Sequence, residues 1–180
     1  REAKLGVDPE RARKVFHDLG RSPSVRLCGL HLHIGSPVNT VEPYVEAITK
    51  ALTLIDQLRA DGFAVDTLDL GGGFGAHYEG GEAPPASAYA GQIVPLLRGR
   101  NLKIFLEPGR SISANAGLLL ARTVYVKQGG DKQFLIIDAS MTELIRPVLY
   151  DAYHFIWPVR PAAGFLPPSR RREQDLPGLI

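Results

Sequence analysis

Leu68-Asp69-Leu70-Gly71-Gly72-Gly73-Phe74-Gly75 is the stretch from which the fold is read. Its apolar lead-in, Val65, Leu68 and Leu70, reads as a buried strand running straight into three consecutive glycines, where a backbone turns sharply and bares its amide groups. Exposed N–H groups at such a turn bind phosphate. The spacing does not fit the dinucleotide fingerprint, which needs Gly at the first, third and sixth positions, and no Gly-Lys-Ser/Thr follows as in a P-loop. Two readings therefore stay open for this motif: a third kind of phosphate site, or a strand-to-loop turn that binds nothing.

Working outward, two more strands end in the same manner. Val25 to Ile34 carries Leu27, Leu30, Leu32 and Ile34 and stops at Gly35-Ser36-Pro37, while Lys103 to Leu106 stops at Glu107-Pro108-Gly109-Arg110. Helices alternate with them. Asp8 and Pro9 open the first, with Ala12, Val15, Phe16 and Leu19 at helical spacing until Gly20. Thr40 is expected to cap the second, whose apolar stripe of Val41, Tyr44, Val45, Ile48, Leu52, Ile55 and Leu58 runs to Gly62. A polar, Pro-rich loop from Gly80 to Ser87 precedes a third helix with Tyr89, Ile93, Leu96 and Leu97 inward, which Pro95 weakens in its second half. Strand and helix alternating at this spacing predict parallel βα units, with active groups at the strand C-terminal ends as in α/β barrels.

After Gly117 the pattern changes. Leu118 to Lys127 and Gln133 to Ala139 are rich in β-branched and aliphatic residues around Gly129-Gly130, which predicts an antiparallel hairpin. The fold class expected is α/β: residues 1–116 as part of a larger (β/α)8 barrel, and residues 117–180 as the start of a β-rich second domain. Five prolines between Pro158 and Pro177 deny regular structure there, and Gly178-Leu179-Ile180 reads as a strand just starting.

Composition narrows the function classes. With 180 residues, 44% apolar content and a net charge of +2, the chain reads as globular. The one dense basic cluster, Arg170 to Arg172, sits beside Glu173 and Asp175 without interleaved aromatics, which argues against nucleic acid. No apolar run approaches a membrane span. The single Cys28 permits no intramolecular disulfide and suits a reducing cytoplasm. A start lacking both Met and a signal-peptide pattern reads as mid-protein.

If the barrel reading holds, His33, Ser36, Gly71, Gly72, Gly73, Glu107 and Arg110 gather at one mouth. Ser36, the glycine amides and Arg110 suit a phosphoryl group. Glu107 would be repelled by it, and instead suits a cationic group elsewhere on the ligand, such as a protonated pyridine nitrogen. A flat ring would stack on His33. Phosphate, protonated ring and planar face together describe pyridoxal phosphate. His31 is expected to be a packed, hydrogen-bonded histidine, and His17, His77 and His154 to take no catalytic part.

Four motifs in order carry a resemblance. His31-Leu32-His33-Ile34-Gly35-Ser36, Leu68 to Gly75, Glu107-Pro108-Gly109-Arg110 and Asp138 to Met141 through Leu144-Ile145-Arg146-Pro147-Val148-Leu149-Tyr150 closely resemble the diaminopimelate decarboxylase family. The resemblance runs from Lys4 to about His154. It implies the C-terminal part of an alanine-racemase-like barrel followed by a β domain, pyridoxal 5'-phosphate as cofactor, no metal, a homodimer, and conversion of meso-2,6-diaminopimelate to L-lysine and carbon dioxide. It also implies that His33 stacks on the ring, that Ser36, Gly71 to Gly73 and Arg110 hold the phosphate, that Gly109 belongs to the cofactor-binding set, that Glu107 pairs with the pyridine nitrogen, and that Arg110, Arg146 and Tyr150 hold substrate.

The sequence departs from the family pattern at Pro37, where Gln is common, and at Ser140, Thr142 and Glu143, where Gly, Asn and Asp are common; these are expected to tune loops. None of Lys4, Lys14, Lys50, Lys103, Lys127 or Lys132 has the neighbours of the family's Schiff-base lysine, and its Gly-Pro-x-Cys-Glu segment is expected beyond Ile180. The catalytic lysine and cysteine are thus expected outside this stretch, leaving it inactive by itself. Three rival readings stand beside it: an ornithine- or arginine-type decarboxylase sharing the glycine and Glu-Pro-Gly-Arg motifs, a non-catalytic homologue, and a metal-dependent barrel hydrolase, where both histidines of His-x-His bind metal.

Overall fold

Local signals build the first helix as expected. In the computed structural model, which describes residues 6–78 and 83–161, helix α1 spans Pro9–Leu19, and Asp8 Oδ1 accepts from the Arg11 N–H at 2.8 Å. A carboxylate at that position satisfies one of the amides that a helix start leaves open. Strand β1 (Gly29–His31), helix α2 (Glu42–Ala60), strand β2 (Thr67–Asp69), helix α3 (Ala86–Leu97), strand β3 (Lys103–Phe105) and the short helix α4 (Gly109–Ser113) follow. The chain divides into two compact units, with the main boundary after Gly117.

The three strands of the first unit pair in the order β1-β2-β3, all parallel, with His31 beside Asp69 and Asp69 beside Phe105. Their C-terminal ends therefore share one edge. They form an open sheet; no closed barrel is made among the described residues. β1 is much shorter than the Val25 to Ile34 run, because a strand lasts only as long as its ladder. The Cys28 carbonyl accepts from both Asp66 and Thr67 at one end, and the Leu32 N–H donates to Asp69 at the other. Helix α2 begins one residue later than a Thr40 cap would require: Val41 takes the N-cap position with no side-chain bond, and Pro43 presets the first turn. Helix α3 runs through Pro95, which lacks the N–H that would bond the Gly91 carbonyl, and the helix ends two residues later at Leu97.

The core lies between the sheet and these helices. Leu68 and Leu70 of the β2 segment pack with Phe16, Tyr44, Ile48, Leu52, Ile55, Leu58, Tyr89 and Ile93, all buried. At the edge where strands enter, Arg59 donates to the carbonyls of Val65 (2.9 Å), Arg100 (2.9 Å) and Asn101 (3.2 Å), tying the approaches to β2 and β3 to helix α2. Helix α1 is fastened to the end of α2 by Asp61, which accepts from Arg13 Nε (2.7 Å) and Nη2 (2.8 Å) and sits 3.1 Å from His17 Nε2.

At the other edge, backbone approaches are too close for side chains. A Cβ at Gly71 would run into the Leu32 carbonyl oxygen, at Gly72 into that of Glu107, and at Gly73 into that of Gly35. Gly71 and Gly73 also have φ of +69° and +90°, a region that favours glycine. Gly72 does not, so space alone excludes a side chain there.

In the second unit, strand β4 (Thr123–Gly129) pairs antiparallel with β5 (Lys132–Ile137). Gly129 pairs with Lys132, so the expected hairpin turns on Gly130-Asp131 rather than Gly129-Gly130, and Gly130 has the positive φ (+63°) that such a two-residue loop uses. The short helix α5 (Arg146–Tyr150) follows. The Arg170 to Arg172 cluster and the Gly178 to Ile180 strand lie outside the described residues, as do parts of the Gly80 to Ser87 loop and of the Pro158 to Pro177 segment. No helix among the described residues is long and apolar enough to cross a membrane.

Two outcomes test this account. Gly72→Ala is expected to lower stability by roughly 1–3 kcal/mol, the cost of forcing an atom into a packed region; an unchanged denaturant midpoint would show that the Glu107 backbone yields freely. The Arg13 guanidinium beside Asp61 holds its carboxyl below the ordinary carboxylate value. A lowered folded-state value stabilises above the unfolded one, and that stability is lost as pH falls through the folded value. Asp61→Asn should therefore lower the melting temperature at neutral pH, with the gap to the parent narrowing as pH falls below the ordinary aspartate range and closing once it is below the folded-state value. A gap that persists in acid would assign the loss to something other than charge.

Candidate functional site

Because the strands are parallel and in register, the residues just past their C-terminal ends meet on one edge. His31 closes β1, Asp69 closes β2, and Glu107 lies two residues beyond β3. His31 Nε2 is 3.5 Å from Glu107 Oε2, and one ligand atom from each of His31, Asp69 and Glu107 falls within 4.8 Å of the others. Asp69 also folds back on its own loop, Oδ1 accepting from the Gly71 N–H at 2.9 Å. The glycine loop is then pinned at three successive carbonyls: Gly71 by the Glu107 N–H (2.9 Å), Gly72 by the Tyr44 hydroxyl (2.9 Å) and Gly73 by the Val38 N–H (2.7 Å).

The expected packing of His31 is overturned. Its side chain is 54% exposed and faces Glu107. β1 ends at His31, so this side chain meets the Glu107 loop rather than a packed neighbour. His33 and Ser36 stand exposed in the loop after β1, Gly109 is exposed at the start of α4, and Arg110 is half-buried in its first turn. Arg110 has no carboxylate partner among the described residues. The cluster that could hold a cation is His31, Asp69 and Glu107, and His33 is not in it. Among the described residues, therefore, no such cluster uses both histidines of His-x-His as the hydrolase reading needs.

Arg146 and Tyr150 lie in the second unit, at the two ends of α5, with the Arg146 guanidinium carbon 5.7 Å from the Tyr150 ring centre. In the same unit the departures from the family pattern bond to one another. Glu143 accepts from the Thr142 hydroxyl (2.8 Å), the Ser140 N–H (2.7 Å) and the Ser140 hydroxyl (3.0 Å), which hold its carboxyl below the ordinary value. The turn is thus closed by its own side chains.

The residues at the first unit's edge fit a group that is anionic at one end and cationic at the other. Neither the Gly72 nor the Gly73 N–H donates to a protein acceptor among the described residues. The Ser36 hydroxyl lies in the loop after β1 and Arg110 in α4, and amide, hydroxyl and guanidinium are donor types of the kind phosphate takes. Glu107 offers a carboxylate, a group that suits a protonated nitrogen. The glycines themselves are already required by backbone packing, so the ligand argument rests on their open amides rather than on their missing side chains.

Tyr44 and Asp69 were not singled out from sequence. Tyr44 sits in an apolar helical stripe, where an aromatic residue reads as core, and its hydroxyl partner comes from another element. Asp69 directly precedes the glycines, and that adjacency was the available signal. The cleft of about 580 Å3 between Gly20 to Leu27 and Gly62 to Ala64 lies where the chain enters β1 and β2, at the opposite edge from these groups.

Comparisons with known proteins supply the chain's relatives. The chain is 42% identical over 158 residues to the diaminopimelate decarboxylase of Neisseria meningitidis, covering 88% of this chain and 39% of that protein. It thus spans well under half of that relative. The structure of diaminopimelate decarboxylase from Helicobacter pylori complexed with L-lysine superposes with a TM-score of 0.83 at 37% identity, over 91% of this chain and 41% of that one. Lysine/ornithine decarboxylase from Vibrio vulnificus, complexed with cadaverine, gives 0.74 at 26% identity, over 82% and 40%. Residues 1–114 match the family described as pyridoxal-dependent decarboxylase, pyridoxal binding domain. The open amides, the unpaired arginine and the facing carboxylate lie within that matched segment, and the chain belongs to the pyridoxal-dependent decarboxylases.

Proposed function

We propose that this chain forms part of a cytoplasmic, homodimeric enzyme that decarboxylates meso-2,6-diaminopimelate to L-lysine and carbon dioxide. Residues 1–116 are the C-terminal portion of its (β/α)8 barrel, and residues 117–180 the start of its β domain. The observation that carries the reading is the glycine loop with open amides beside Glu107, in a chain whose Neisseria and Helicobacter relatives above are named diaminopimelate decarboxylase.

When bound, pyridoxal 5'-phosphate supplies an electron-withdrawing ring that takes up the charge left by a departing carboxylate. The chain's own residues bind and orient. Ser36, the amides of Gly71 to Gly73, Gly109 and Arg110 anchor the phosphate, although the Gly71 N–H is engaged by Asp69 and would have to be shared. His33 stacks on the ring face. Glu107 keeps the proton on the pyridine nitrogen, and a carboxylate in this position sets how strongly the ring draws electrons. Arg146 offers a planar fork to a substrate carboxylate, with Tyr150 and Arg110 assisting. The lysine that carries the cofactor and the acid that returns a proton to carbon are assigned to segments other than these 180 residues.

The likeness to lysine/ornithine decarboxylase supports a second reading, a decarboxylase of a basic amino acid with one carboxylate. Carbon dioxide release from meso-diaminopimelate, lysine, ornithine and arginine by the full-length protein separates the two. Diaminopimelate is expected to lead by on the order of 100-fold in kcat/KM; a lead for ornithine or lysine would move the assignment to the second reading. Glu107→Ala should cut turnover on the order of 100-fold while cofactor affinity changes far less. Undiminished turnover would remove Glu107 from the role.

A further inference from the structure

The glycine loop has no side chains of its own to orient it, yet its peptides are held. Of the three groups that pin its carbonyls, two are backbone N–H groups, and only the Tyr44 hydroxyl is a side chain. Tyr44 is 1% exposed. Its ring stacks on Phe74 at 4.9 Å and 6°, and Tyr89 meets both rings edge-on, at 5.5 Å from Tyr44 and 5.3 Å from Phe74. Tyr89 in turn donates to the Val38 carbonyl at 2.8 Å, while the Val38 N–H holds Gly73. Both hydroxyls of this aromatic group are therefore spent on the backbone that frames the loop.

A trans peptide carries its C=O and N–H on opposite sides. With the Gly72 oxygen drawn toward the buried Tyr44 hydroxyl, the Gly73 N–H of the same peptide must face the other way, out of the core. We propose that the Tyr44 hydroxyl is a positioning group for the cofactor's phosphate, holding the Gly72-Gly73 peptide so that the Gly73 amide is presented before the ligand arrives. The inference rests on the phosphate reading of the glycine loop. A pre-set amide spares the ordering cost that a free glycine peptide would add to binding. Burial pushes the Tyr44 hydroxyl up to about 12, so it stays a donor through the working pH range. Without that hydroxyl the buried Gly72 carbonyl loses its partner, and the peptide is free to turn in search of another.

Tyr44→Phe keeps the ring stack and removes only the oxygen. In the full-length protein, titration with pyridoxal 5'-phosphate and with pyridoxal, which lacks the phosphate, reads the phosphate contribution as the ratio of the two dissociation constants. The parent is expected to prefer the phosphorylated form strongly. Tyr44→Phe should lose roughly 10-fold of that preference, the size of one charge-assisted hydrogen bond, with pyridoxal affinity unchanged. A variant that weakens both ligands equally has only a structural tyrosine, and one that keeps the full preference has no positioning role; either overturns the proposal. A parent that binds both ligands alike overturns the phosphate reading itself. Should the variant fail to fold, isotope-labelled glycine in the parent supplies the answer: the Gly73 amide signal should move on adding pyridoxal 5'-phosphate and stay put with pyridoxal. A Gly73 signal unmoved by the phosphorylated form overturns the proposal.

Discussion

Where the parallel strands end, the carbonyl oxygens of Leu32, Gly35 and Glu107 occupy the positions that Cβ atoms of residues 71, 73 and 72 would need. That backbone-to-backbone closeness is the constraint on which the site depends. It joins the loop after β1, the glycine loop after β2 and the Glu107 loop after β3 at van der Waals range, with no side chain between them to act as a compliant spacer. Packed regions transmit small displacements rather than absorbing them. A shift in one loop is therefore a shift in all three, and the charged groups that they carry keep fixed mutual distances.

The charges so fixed are few and of both signs. Glu107 faces His31, Asp69 is turned toward the Gly71 amide, and Arg110 is left without a carboxylate of its own among the described residues. Two carboxylates, an imidazole and an unpaired guanidinium around one loop edge suit a ligand that is anionic at one end and cationic at the other. Pyridoxal phosphate has that character, and the family match to the pyridoxal-binding domain falls on the same residues. Behind the edge, Tyr44, Phe74 and Tyr89 link the loop to the core of α2 and α3, so the most buried part of the unit and its least side-chain-rich loop are one connected structure.

Much of this is legible in the sequence, for reasons that differ by element. Asp8, Pro9 and Gly20 act within a few residues of themselves, and α1 begins and ends as they dictate. The apolar stripe of α2 and the hairpin of β4 and β5 follow from periodicity, which is also local. Strand lengths were not legible: β1 ends where β2 ceases to pair with it, a fact carried by residues far along the chain. Thr40 reads as a cap by type but stands one position too early, and helix boundaries shift by such amounts under tertiary packing.

By itself the sequence determined which chemistry was available and in what order: a histidine and a serine after one strand, glycines after the next, then a carboxylate and an arginine after the third, with the motifs that mark the decarboxylase family. Those are properties of residue type and spacing, which need no third dimension. Only the tertiary structure decided that His31 faces Glu107, that the glycines are demanded by neighbouring carbonyls, and that a tyrosine in an apolar stripe spends its hydroxyl on Gly72. Each of these depends on a partner from another element. Such pairings are set by how strands align and helices pack, and residue type alone does not encode which groups will meet.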